Sequence, residues 1–104
     1  LSEAEAFAAS AVELRPKMAT LRDTLAFTQN KAGDPKAAAQ TIGVAIELEP
    51  DNAQWRVRLA EYLLAGGDRT AASQALSKIE DMRLTVPEDL KFQIDVLRKK
   101  LKTT

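Results

Sequence analysis

Leu25-Ala26-Phe27-Thr28-Gln29-Asn30-Lys31-Ala32-Gly33-Asp34-Pro35-Lys36-Ala37-Ala38 decides the fold, because its punctuation returns 34 residues later as Leu59-Ala60, Gly67-Asp68 and Ala71-Ala72. Laying residues 13–40 over 47–74 leaves 12 of 28 positions identical, among them Pro16, Arg22, Gly33 and Asp34 with their counterparts Pro50, Arg56, Gly67 and Asp68. Self-similarity at a fixed period of roughly 20 to 50 residues marks a solenoid, in which each unit buries its apolar face against its neighbours.

Working outward from that stretch, Gly33 provides a permissive helix end, Asp34 an N-cap, and Pro35 a first-turn residue that needs no amide donor. This stop and start predicts two antiparallel helices, over about 17–32 and 35–48. The second pair runs over about 53–65 and from Asp68 to about Asp81. Leu21, Leu25, Ala26 and Thr28 form the inner stripe of the first helix of the pair, and Ala38, Ile42, Ala45 and Ile46 that of the second. In the next pair the inward residues are Trp55, Leu59, Tyr62 and Leu63, then Ala72, Leu76 and Ile79.

At the N-terminal side Leu1, Ala4, Phe7, Ala8, Ala11 and Leu14 recur at helical spacing until Pro16 ends the run. At the other side Thr85 and Glu88 form a capping-box pattern, and Leu90, Ile94, Leu97 and Leu101 make one stripe of a last helix. Phe92 and Val96 project away from that stripe. They are expected to pack partly against Met82 or Leu84, the alternative being an exposed partner-binding edge.

Composition narrows the function. Fifteen basic and fifteen acidic residues cancel, so no broad positive field favours nucleic acid. No apolar run approaches the ~20 residues of a spanning helix, so direct membrane insertion is not expected. With neither histidine nor cysteine, imidazole acid-base pairs, thiol nucleophiles and His/Cys metal sites are excluded. Glu47 with Glu49, and Glu80 with Asp81, do not converge as an acid and base would, and read as solvated carboxylates. Gly66-Gly67 lacks the Lys-Ser or Lys-Thr of a phosphate loop. The expectation is a non-catalytic protein without cofactor or metal.

The 34-residue unit resembles the tetratricopeptide repeat (TPR) family, whose repeat is a pair of antiparallel helices, A and B. Leu25-Ala26, Gly33-Asp34, Ala38, Ile42, Ala45 and Pro50 fall on its pattern, and Leu59-Ala60, Gly67-Asp68, Ala72, Leu76 and Ile79 repeat it. Arg22 and Arg56 stand where the family often has Trp, Gln29 where Tyr is common, and Leu84 replaces the terminal Pro of the second repeat. The resemblance implies an all-α right-handed solenoid of about six helices in a single domain over 1–104. Helix B of a partial repeat would occupy 1–16, full repeats 17–50 and 51–84, and a C-terminal capping helix 85–104. It also implies a segment cut from a longer array, ending at or near the C-terminus of its parent.

In TPR proteins the A helices line a concave groove. By resemblance Thr20, Asp23, Thr24, Phe27, Asn30 and Lys31 should face it from the first full repeat, and Gln54, Val57, Arg58, Glu61, Leu64 and Ala65 from the second. A peptide carboxylate clamp of the chaperone-binding type is not expected, because of the matching positions Asp23, Phe27, Gln54 and Arg58 only Arg58 suits it. The implied role is a protein-protein interaction scaffold that holds a peptide or helix. The likeness of Asp23–Ala26 and Gly33-Asp34 to terminal repeats of bacterial TPR proteins points to cell-envelope assembly or exopolysaccharide export. The alternative is a structural spacer or self-association segment. The compartment, bacterial periplasm or cytoplasm, stays open.

Overall fold

The computed structural model describes residues 2–103, leaving Leu1 of the N-terminal stripe outside it. Six helices follow one another: α1 (Ser2–Leu14), α2 (Ala19–Lys31), α3 (Pro35–Leu48), α4 (Ala53–Ala65), α5 (Arg69–Asp81) and α6 (Glu88–Lys102). No strand occurs among the described residues. The architecture is an all-α helical repeat solenoid, with each helix packing on its sequence neighbour and α6 packing on both α4 and α5.

Local chemistry sets the boundaries. The Asp34 carboxylate accepts from the Ala37 amide at 3.1 Å, and Asp68 accepts from Ala71 at 3.0 Å, so α3 and α5 start on the same cap. Asn52 caps α4 through the Gln54 amide at 3.0 Å. Helices α2 and α4 end in Schellman turns: the Asp34 amide donates to the Gln29 carbonyl and the Asp68 amide to that of Leu63. The turns require left-handed backbone at Gly33 (φ 89°) and Gly67 (φ 88°).

The same turn closes α5, the Leu84 amide donating to the Ile79 carbonyl, but here Arg83 occupies the left-handed position at φ 55°. Thr85 makes no capping box. Helix α6 starts at Glu88, which puts Pro87 and not Thr85 at the N-cap position, without a side-chain cap.

The repeat is visible in bonds as well as letters. Arg22 donates to the Pro16 carbonyl and Arg56 to the Pro50 carbonyl, each at 3.4 Å across six residues. The arginine thus ties each of α2 and α4 to the chain entering it, at the position where the family often has Trp.

Three clusters divide the interior. Ala8 and Val12 of α1 meet Leu25 of α2. Ala19 and Ala26 of α2, Ala38, Ile42 and Ala45 of α3, and Trp55 and Tyr62 of α4 form the second. Ala53, Val57 and Ala60 of α4 join Ala72, Ala75, Leu76 and Ile79 of α5 with Leu90, Ile94 and Leu97 of α6 in the third. Helix α4 therefore packs on two sides: Trp55 and Tyr62 turn one way, while Ala53, Val57 and Ala60 turn the other. Leu59, expected inside, is half-buried and borders both clusters.

The N-terminal stripe is largely uncovered. Phe7 is 76% exposed, Leu14 82% exposed, and Ala4 also faces solvent. Only α2 covers α1, so only the arc through Ala8 and Val12 is buried.

Candidate functional site

Helices α2, α4 and α6 together line an open cleft of about 830 Å³, with α4 at its centre. The first wall is Phe27, Asn30 and Lys31 of α2. The floor is Arg58, Glu61, Tyr62, Leu64 and Ala65 of α4, and the far wall is Phe92, Gln93, Val96, Leu97 and Lys100 of α6. Of the residues anticipated from sequence, Phe27, Asn30, Lys31, Arg58, Glu61, Leu64 and Ala65 come together here.

Others do not reach the cleft. Thr20 and Thr24 are exposed on α2, the Thr24 hydroxyl donating to the Thr20 carbonyl at 3.2 Å. Gln54 lies in a separate small hollow with Asn52, Thr85 and Pro87. Val57, expected to offer an apolar contact, is fully buried. Its counterpart one repeat earlier, Asp23, remains partly exposed, but α4 has α6 as a further neighbour, and Leu90, Ile94 and Leu97 close over the Val57 side of the helix.

Asp23 does not line the cleft either, but it acts on it through Arg58. The Arg58 Nε donates to Asp23 Oδ1 at 3.2 Å, and Nη1 lies 3.6 Å from Glu61 Oε1. The guanidinium is thereby matched by two carboxylates, and it joins α4 to α2 across 35 residues of sequence. Burial pushes the Glu61 carboxyl above the ordinary carboxylate range, against the opposing pull of Arg58. Burial likewise pushes the Tyr62 hydroxyl up to about 12, with the Asp23 charge adding to the shift. Lys31 places its ammonium 5.5 Å from the centre of the Phe27 ring, a cation-π contact.

Phe92, Gln93, Val96 and Lys100 were not assigned to this surface from sequence. Phe92 and Val96 face the cleft, the alternative weighed from sequence, Phe92 being 70% exposed. For Gln93 and Lys100 the signal was a change of register. Helix α4 starts 34 residues after α2, whereas α6 starts 35 after α4. At that lag Gln93, Val96, Leu97 and Lys100 fall on Arg58, Glu61, Tyr62 and Ala65, all four of which line the cleft.

The described residues hold no group of three or more His, Cys, Asp or Glu side chains able to grip a metal. No helix among them is long and apolar enough to cross a membrane. No curated protein matches the chain. The tetratricopeptide repeat pattern matches residues 29–83, over half its length and spanning the Gly33-Asp34 and Gly67-Asp68 turns. A cleft walled by every second helix, helix pairs repeating every 34 residues and that match have one reading: the chain belongs to the tetratricopeptide repeat family.

Proposed function

We propose that the chain is a non-catalytic scaffold that binds a peptide or a partner helix in the cleft between α2, α4 and α6. Tetratricopeptide repeats generally mediate protein-protein interaction. The observation that carries the specific reading is the pair of phenylalanines on opposite walls, Phe27 at 55% and Phe92 at 70% exposure. Large apolar side chains left in water around a concave surface are the usual mark of a recognition site.

The arrangement behind this reading is one domain over 1–104. Residues 1–16 supply a B helix, 17–50 and 51–84 full repeats, and 85–104 a cap that stands where the next A helix would. The paired caps at Asp34 and Asp68, and the paired bonds of Arg22 and Arg56, support that division. The proposed setting, a bacterial cell-envelope or exopolysaccharide export assembly, rests on the Asp23–Ala26 and Gly33-Asp34 pattern alone.

The test is to select binders from a displayed random-peptide library and titrate them into isotope-labelled protein. Amide shifts confined to α2, α4 and α6, with binding lost in the Phe27→Ala/Phe92→Ala double variant, support the cleft. Shifts confined to α1, α3 or α5 refute it.

A second reading, self-association, is favoured by a different surface. Phe7, Leu14 and Met18 (43% exposed) leave an apolar face beside a hollow lined by Ala11, Leu14, Arg15, Met18 and Leu21. Sedimentation velocity over a concentration series separates the cases. Association abolished by Phe7→Ser/Leu14→Ser supports this reading, and a monomer at every concentration removes it.

A further inference from the structure

We infer that the occupant of the α2–α4–α6 cleft is an acidic amphipathic peptide segment, its apolar side chains lying on Phe27, Leu64, Phe92 and Val96 and its carboxylates meeting Lys31 and Lys100. This rests on the cleft reading above and adds the chemistry of the ligand.

Charge is the first ground. The whole chain carries fifteen charges of each sign, yet the cleft is lined by Lys31, Arg58 and Lys100 against Glu61 alone. Arg58 is already matched by Asp23 and Glu61, so its charge is largely spent within the protein. Lys31 and Lys100 make no ion pair with any described residue. Lys31 is left for a ligand, and Lys100, whose charge also acts on the Glu61 carboxyl, is available to one beyond any ion pair.

Placement is the second. Lys31 closes α2 on one wall, and Lys100 lies in the last turn of α6 on the other, with Leu64 and Ala65 beside Arg58 and Glu61 in the floor between. Lys31 is drawn over the Phe27 ring, so one contact patch presents both an apolar face and an ammonium. Lys100 projects from a pinned backbone, since its carbonyl accepts from Arg69 at 2.8 Å. A segment with an apolar stripe flanked by Asp or Glu matches both walls. Polyphosphate chains fit less well, because Glu61 in the floor and Asp23 beside it oppose a continuous run of negative charge.

The experiment pans a displayed library of random peptides against the chain. Affinities of the enriched peptides are then measured by fluorescence anisotropy at low and high salt, with an oligodeoxythymidylate as a competing probe. The expected result is enrichment of net-negative peptides carrying apolar residues. Their affinity should fall with salt and drop on the order of tenfold or more in Lys31→Glu/Lys100→Glu. That variant, checked for an unchanged helical spectrum, should now prefer net-positive peptides.

Neutral or basic peptides that bind through Phe27 and Phe92 overturn the inference and leave the cleft reading standing. Peptides indifferent to both the lysine and the phenylalanine variants, or no enriched peptide at all, overturn both. Lysine-dependent binding of the oligonucleotide more tightly than any peptide overturns the inference in favour of a nucleic-acid ligand.

Discussion

The two ends of the row of helices are built differently. At the α1 end three residues, Ala8, Val12 and Leu25, make the whole buried cluster, and Phe7 and Leu14 stand in solvent. At the α6 end ten buried residues from three helices converge, and polar chemistry reinforces them. Arg69 at the start of α5 donates to the carbonyls of Lys100, Leu101 and Thr103, and Arg98 of α6 pairs with Glu80 of α5. A helix in a stack is held by the neighbours that cover it, and α1 has one where α6 has two.

The largest predicted contrast follows from that count. Leu97→Ala should destabilise the chain by about 2–5 kcal/mol, because it opens a cavity at the junction of α4, α5 and α6. Leu14→Ala should change stability by no more than about 0.5 kcal/mol, since the side chain is already in water. Urea titration followed by circular dichroism measures both. Equal effects at the two ends would break the comparison.

Next in size is the Arg69 clasp. The last carbonyls of α6 lack the backbone donors of the helix interior; the Thr103 hydroxyl reaches that of Lys100, and the guanidinium adds to it and opposes the negative end of the helix dipole. Arg69→Ala should lower stability by about 1–2 kcal/mol and speed hydrogen exchange in the last turn of α6. Exchange in α1 should not change.

Much of this difference was legible in advance, and the part that was not has a physical reason. Helices α3 and α4 fall on their anticipated bounds because Gly-Asp-Pro and Asn52 state stop and start locally. The Leu90, Ile94 and Leu97 stripe is legible because it is a one-sided pattern on a helix covered from one side. Val57 was misplaced because a helix in the middle of a stack has two covered sides, and a single stripe cannot say which neighbour arrives on the second. Part of the α6 wall was missed because one extra residue before that helix shifts the repeat lag from 34 to 35 and brings Gln93 and Lys100 onto the places of Arg58 and Ala65. The exposed Phe7 and Leu14 fit the end of a solenoid, where apolar side chains at helical spacing have only one neighbouring helix to cover them.

Arg83 gives a smaller test at the junction between the two full helix pairs and α6. Gly33 and Gly67 hold the same turn without steric strain, whereas Arg83 holds it with a Cβ. Arg83→Gly should stabilise the α6 end by up to about 1 kcal/mol, the gain being limited by the added freedom of the unfolded chain. Gly33→Ala and Gly67→Ala should each cost about 1 kcal/mol. Thermal melts of the three variants check the signs.

The finest distinction is carried by protons on α4, the helix that faces the cleft between the two ends. Burial raises the Glu61 carboxyl above its ordinary value of 4.5, so the folded chain holds that proton to higher pH than the unfolded chain does. The contribution is therefore fully present below pH 4.5 and is lost as pH rises through the folded value. Glu61→Gln cannot ionise, and the carboxylates common to both proteins cancel in the comparison. Wild type should thus lose stability relative to Glu61→Gln as pH increases above 4.5, read from urea midpoints at successive pH values. A gain in its place would mean that Arg58 outweighs burial. Tyr62 gives the same sign in alkali. As the sole tyrosine, it reports its own phenolate absorbance, which should appear near pH 12 in the folded chain and about two units lower in urea, near the ordinary value of about 10. If both midpoints coincide, the packing of α4 against α2 and α3 at Tyr62 is looser than the burial of that ring requires.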